Sequence, residues 1–268
     1  MRKITINLAA VAAFCIVVAS PALVSSSCAT PQTEQEDTTI IREDLGITAL
    51  KYSSPEVPSS IEFCGKVIDL SRFDRHERMD RELLAFTYMH STSLQMLKKA
   101  NRYFPIVEPI LKENGIPDDF KYLMVIESNM NPTARSSAGA AGLWQFMQGT
   151  GRDYGLEVNN NVDERYHIEK ATRAACRYLK DAYAKYKDWV AVAASYNAGQ
   201  ARIASQLAKQ DVDDSLDLQL VEETARYVYR ILAAKQLFSA PTTFGFRLRA
   251  SDLYPPIPYT EVTVTKGI

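Results

Sequence analysis

The period of the apolar positions changes several times along this chain, and each change predicts an element. From 61 to 70 a short apolar and polar alternation predicts a strand. Beyond it the spacing turns helical. Leu83, Leu84, Phe86, Leu94 and Leu97 fall along one long pattern, and Tyr103, Ile106, Ile110 and Leu111 along the next. Asn114-Gly115-Ile116-Pro117 stops that helix, and Pro117 with Asp118 and Asp119 suits the first turn of another. Further helices are expected over 168–186, 189–196, 201–209 and 220–238. In the first of these Ile168, Ala171, Ala175, Tyr178, Leu179, Ala182 and Tyr186 step at three and four, which makes one apolar face. After Ala240 the punctuation becomes Pro241, Gly245, Pro255, Pro256 and Pro258, and the alternation at Val262 and Val264 fits a small strand pair in the tail. The fold class is therefore mainly α.

The N-terminus departs from this pattern. Arg2 and Lys3 precede an apolar, small-residue run from Ile4 to Val24, and no acid stands before Glu34. That layout is an export signal, with a single membrane span as the alternative, since about 20 apolar residues cross a bilayer. Val24-Ser-Ser-Ser-Cys28 resembles a loose lipobox without its leucine, which makes Cys28 the lipidation candidate and places the protein on the periplasmic side of the cell envelope. Residues 29–60, rich in Thr, Gln, Glu, Ser and Pro, read as a flexible tether. The rest divides into a helical N-terminal extension (61–104), a catalytic domain (105–240) and a C-terminal tail (241–268).

Composition adds exclusions more than assignments. With 46% hydrophobic and 24% charged residues, the chain suits one sizeable core. Without residues 1–28, 29 basic residues face 32 acidic ones, a balance that excludes a basic nucleic-acid binder. Cys64 and Cys176 read as packed free thiols rather than a disulfide. His76, His90 and His167 lack ligand spacing, so neither a metal nor a cofactor is expected.

The helix opening at Pro117 carries Phe120, Leu123 and Met124 on one face, and the same series reaches Glu127. A carboxyl there points with the core, and burial raises its pKa toward the range of a general acid. The alternative is a helix-end glutamate that swings into water before Pro132. What surrounds it decides between the two. Residues 127–147 read Glu-Ser-Asn-Met-Asn-Pro-Thr-Ala-Arg-Ser-Ser-Ala-Gly-Ala-Ala-Gly-Leu-Trp-Gln-Phe-Met. With Ser195-Tyr196-Asn197-Ala198-Gly199, Glu223-Thr224-Ala225-Arg226-Tyr227-Val228 and the earlier run Asn101–Leu111, they resemble the lytic transglycosylases of glycoside hydrolase family 23.

The resemblance implies a lysozyme-like helical domain that acts on peptidoglycan glycan strands, with Glu127 catalytic. It implies that Ser136, Gln145 and Met147 line the sugar groove, that Tyr196 and Asn197 sit beside the scissile bond, and that Glu223 and Tyr227 complete the pocket. Ser195 stands where Ala is common in the family, and Met124 where Pro is common. Read on their own, these residues keep plainer alternatives. Ser136 can be a loop residue, Trp144 reads as core, Tyr196–Gly199 can be a helix end, and Glu223 and Tyr227, four apart, can bond each other. A two-carboxylate glycosidase needs a partner acid, and Asp153, Asp163 and Glu164 have no motif to place them. One carboxyl suffices if the substrate's own C6 hydroxyl attacks C1 and leaves a 1,6-anhydro end. A water-using muramidase and a non-catalytic glycan binder are the alternatives.

Overall fold

The computed structural model describes residues 53–258. The leader, Cys28, the tether up to residue 52 and the Val262/Val264 alternation lie outside the described residues. No helix among the described residues is long and apolar enough to cross a membrane.

The expected single strand is a hairpin, β1 (Ser60–Phe63) against β2 (Lys66–Asp69), with Ser60 opposite Asp69 and Phe63 opposite Lys66. Its two-residue turn has both φ angles positive, 53° at Cys64 and 85° at Gly65, as a tight turn between twisted strands requires. The strain at Cys64 is held from outside the hairpin, because its amide donates to Asp119 Oδ2 at 2.7 Å. Among the described residues of the tail, 241–258, there are only two short 3-10 turns, Pro241–Phe244 and Ala250–Asp252.

The rest is helical: α1 (Phe73–Tyr88), α2 (His90–Glu113), α3 (Phe120–Ser128), α4 (Gln148–Asp153), α5 (Ile168–Tyr186), α6 (Trp189–Ala198), α7 (Gln200–Lys209) and α8 (Glu222–Ser239). The mainly α class expected from the sequence is the class observed. The long pattern over 83–97 is broken at Met89 into α1 and α2. Helix α2 then runs unbroken through Pro105 and Pro109, across the expected boundary at 104–105. A proline inside a helix costs about 3 kcal/mol in isolation. Here Met96, Leu97, Ala100, Tyr103, Val107, Ile110 and Leu111 stay buried along one face, and that packing offsets the cost.

Helix α8 is the central strut, packing on α1, α3 and α6, while α2 packs on α5 and α3. This brings the C-terminal end of α3, the end of α6 and the first turns of α8 into one neighbourhood. Glu82 on α1, 2% exposed, receives two hydrogen bonds from Arg226 on α8, at 2.6 and 3.1 Å, and ties the strut to the N-terminal helices.

Candidate active site

Every residue from Tyr122 to Ile126 in α3 is buried. The sequence suggested one apolar face, but the helix is enclosed on nearly all sides, as an all-round apolar helix must be. Asn129 and Met130 then adopt left-handed φ of 49° and 59°, sparsely populated for residues with a Cβ, and turn the chain away directly after the last turn. The fully buried Met130 side chain fastens that reversal. Glu127 stands at the rim of the core, and does not swing out to water. Burial pushes its carboxyl from the ordinary 4.5 up to about 7. A hydrogen bond from the Tyr227 hydroxyl and the charge of Arg230 hold that rise back, and the charge of Glu223 adds to it.

Helix α8 therefore brings Glu223 and Tyr227 to Glu127, though not by bonding them to each other. Tyr227 is buried and donates to Glu127 Oε1 across 100 residues of sequence, whereas Glu223 is exposed and acts through its charge. From the end of α6, Asn197 Oδ1 accepts from Thr224 Oγ1 at 2.8 Å, which leaves its amide nitrogen available to a ligand. Tyr196 lies close to Glu127. Its hydroxyl donates to the Trp144 carbonyl at 2.8 Å, and its ring packs against Phe146 and Tyr178 with centroids 6.1 and 5.1 Å away. It forms a fixed wall beside Glu127, with its single proton already committed.

The third expected group lies on the loop between α3 and α4. Trp144 is fully buried and donates from Nε1 to Thr172 Oγ1 at 2.9 Å, a core role rather than a sugar platform. Gln145, at φ 48°, donates from its amide nitrogen to Gly142 O at 2.8 Å and to Ala134 O at 3.2 Å. Both amide hydrogens are thereby committed, and its carbonyl oxygen is left for a ligand. Ser136 is exposed in a tight turn, where its hydroxyl accepts from Ala140 N at 3.0 Å. Met147 is 45% exposed just before α4, an apolar surface open to solvent.

Sequence reasoning missed the residue that holds this loop. Arg165, 4% exposed, donates to Gly139 O at 2.8 Å and Phe146 O at 2.9 Å while Asp163 pairs with its guanidinium at 2.7 Å. Its own carbonyl presses on Gly142, where any Cβ would overlap it. Arg230 was missed as well, although the series from Glu223 through Tyr227 continues to it at helical spacing. Of the acids considered as second carboxylates, Asp163 is spent on Arg165, Glu164 pairs with Lys170, and Asp153 lies exposed on α4. Among the described residues no cluster of three His, Cys, Asp or Glu could hold a metal ion, and Cys64 and Cys176 are free thiols.

Comparison with known proteins places part of the chain in a family. Residues 105–217 match the family described as Transglycosylase SLT domain. Membrane-bound lytic murein transglycosylase D of Escherichia coli is 30% identical over 181 residues, covering 66% of this chain and 39% of the relative. Membrane-bound lytic murein transglycosylase C of Haemophilus ducreyi is 29% identical over 150 residues, covering 50% of this chain and 40% of the relative. The chain thus spans about 40% of the length of these relatives. An inactive mutant of the lytic transglycosylase Slt from Pseudomonas aeruginosa, a crystal structure, aligns over 53% of this chain and 24% of its own at 22% identity and a TM-score of 0.45. Glu127, the Gly139–Met147 loop and the Tyr196–Asn197 pair all fall inside the matched 105–217 segment, and over that segment the chain carries a transglycosylase domain of the SLT type.

Proposed function

We propose that this chain cleaves the β-1,4 bond between N-acetylmuramic acid and N-acetylglucosamine in peptidoglycan and leaves 1,6-anhydromuramic ends. The observation that carries the reading is Glu127: a desolvated carboxyl near neutral pKa, on an SLT domain, with Asp163 and Glu164 each spent in an ion pair. As an acid it gives its proton to the glycosidic oxygen while the C1–O bond breaks. As a carboxylate it takes the proton of the C6 hydroxyl as O6 bonds to C1, so the ring closes without water and the acid is regenerated. A pKa near 7 suits both roles, because burial favours the acid and the Tyr227 hydroxyl supports the carboxylate. Asn197, the Gln145 carbonyl, Met147 and Ser136 hold the sugars, and the Tyr196 wall excludes water from the far face.

The internal hydroxyl outcompetes water because well-oriented groups reach effective molarities of roughly 10⁵ M or more. Digested sacculi should release muropeptides that resist borohydride and are lighter by one water. Mostly reducible ends would make the chain a muramidase, and no release at all would make it a glycan binder. The leader pattern and the membrane-bound relatives support a place on the periplasmic side of the envelope, with Cys28 as the lipid carrier. Its test is detergent-phase partition that Cys28→Ala abolishes; equal partition of both forms would remove the lipid.

A further inference from the structure

Thr224 is buried beside the active site and takes no part in the mechanism above. It is 2% exposed, on the stretch of α8 between Glu223 and Tyr227, which act on Glu127 by charge and by hydrogen bond. Its hydroxyl carries a single proton, and among the described residues that proton has one acceptor, Asn197 Oδ1 at the end of α6, 2.8 Å away. A helical threonine often gives its proton to the carbonyl four residues back. Here that carbonyl belongs to Leu220, ahead of the helix start at Glu222, and the proton goes to Asn197 instead.

That lone acceptor decides which way the Asn197 amide faces. The oxygen and nitrogen ends of an amide have nearly the same shape, so packing alone does not choose between them. With the nitrogen turned to Thr224, the hydroxyl could accept from it, but its own proton would be buried without an acceptor, at a cost of about 1–3 kcal/mol. With the oxygen turned to Thr224, the proton is used, and Nδ2 is the end left for a bound sugar. Gln145 is fixed in the opposite sense, because its amide hydrogens go to Gly142 O and Ala134 O. The site therefore presents one amide as a donor and the other as an acceptor, each set by a partner behind it.

We propose that Thr224 is a positioning residue: its hydroxyl fixes the Asn197 amide with the nitrogen toward the glycan, so that Asn197 donates to an accepting oxygen of the sugar. The proposal rests on the peptidoglycan reading for the identity of that glycan. Thr224 acts only through Asn197, and Glu127 is not among its hydrogen-bond partners, so the proton chemistry is separate from it. Losing one neutral hydrogen bond of this kind is worth about tenfold in rate.

The test is a double-mutant cycle on cleavage of purified glycan strands by the full chain, with the Asn197 side-chain amide signals followed by NMR as a muramyl disaccharide is added. Thr224→Val, which keeps the branched shape and loses the proton, should lower kcat/KM about tenfold, and Thr224→Ser should restore most of it. In an Asn197→Ala background Thr224→Val should cost nothing further, because the amide it orients is gone. The high-pH limb of cleavage should keep its midpoint in Thr224→Val, since a general disturbance of α8 would displace Tyr227 as well and move it. The disaccharide should shift the Asn197 signals in the wild type and in Thr224→Ser, and not in Thr224→Val. Undiminished cleavage by Thr224→Val, a loss that persists in full in the Asn197→Ala background, or a moved limb would overturn the proposal. A wild type that cleaves nothing, while its Asn197 signals respond in this threonine-dependent way, would contradict the cleavage reading and leave the positioning role standing. Asn197 signals that ignore the disaccharide would remove the positioning role whether or not cleavage occurs.

Discussion

At the start of α3 Asp119 meets Lys235 at 2.8 Å and the Cys64 amide at 2.7 Å, whereas at the end of the same helix Glu127 meets one tyrosine hydroxyl and no cation in contact. Both carboxyls sit against the same apolar core. The first lies at the positive end of the helix dipole and is neutralised by a lysine from α8, so its charge fastens the hairpin to the core. The second lies at the negative end, in the last turn, where desolvation dominates and the proton is held to about 7. The lesson is that burial alone does not create an acid. What separates a structural carboxylate from a proton donor on this helix is distance to a cation of α8: Lys235 touches Asp119, whereas Arg230 acts on Glu127 through its charge without a salt bridge.

Removing Glu127's proton is the largest expected effect. Glu127→Gln keeps the shape and the acceptor for Tyr227, and it should lower sacculus cleavage by about 100-fold or more, since that is the usual worth of general acid–base catalysis. A dye-release assay retaining more than a few per cent of activity would contradict the assignment. The same variant should change stability in a pH-dependent way. Glu127's folded pKa is raised, so its contribution is fully present below about 4.5 and is lost as pH rises through about 7. Urea titrations should show the wild type losing up to about 3 kcal/mol across that window relative to Glu127→Gln. Parallel curves for the two proteins would show that the carboxyl is not desolvated.

The other end of the helix should behave in reverse. Lys235→Met strands Asp119, whose side chain is only 12% exposed, and should cost about 3 kcal/mol of stability at neutral pH. Cleavage per folded molecule should stay within about twofold, because surface-distant changes of this kind leave the transition-state contacts intact. A selective loss of turnover with full stability would mean that the two ends are not separable.

How much of this could be read from the sequence follows the same division. The placement of Glu127 was readable because an apolar series continued into it, and Trp144 read correctly as core because Leu143 and Phe146 flank it. The hairpin was not readable, since its turn puts a cysteine at positive φ and depends on Asp119, 55 residues away. The continuity of α2 was hidden by two prolines that tertiary packing overrides. At the site, the spacing of Glu223 and Tyr227 was visible, but their partner lay 100 residues off. Arg165 was hidden because it holds the loop through two backbone carbonyls, although its ion-pair partner Asp163 stands two residues away.

The account stands most directly on the proton of Glu127, and carboxyl NMR can observe it. Difference spectra between the wild type and Glu127→Gln should reveal one carboxyl titrating near 7, and the high-pH limb of cleavage should fall with the same midpoint. In Tyr227→Phe, which removes the hydrogen bond that favours the carboxylate, both the titration and the limb should move together to higher pH. A Glu127 carboxyl titrating near 4.5, or a cleavage limb that ignores the Tyr227 substitution, would contradict it.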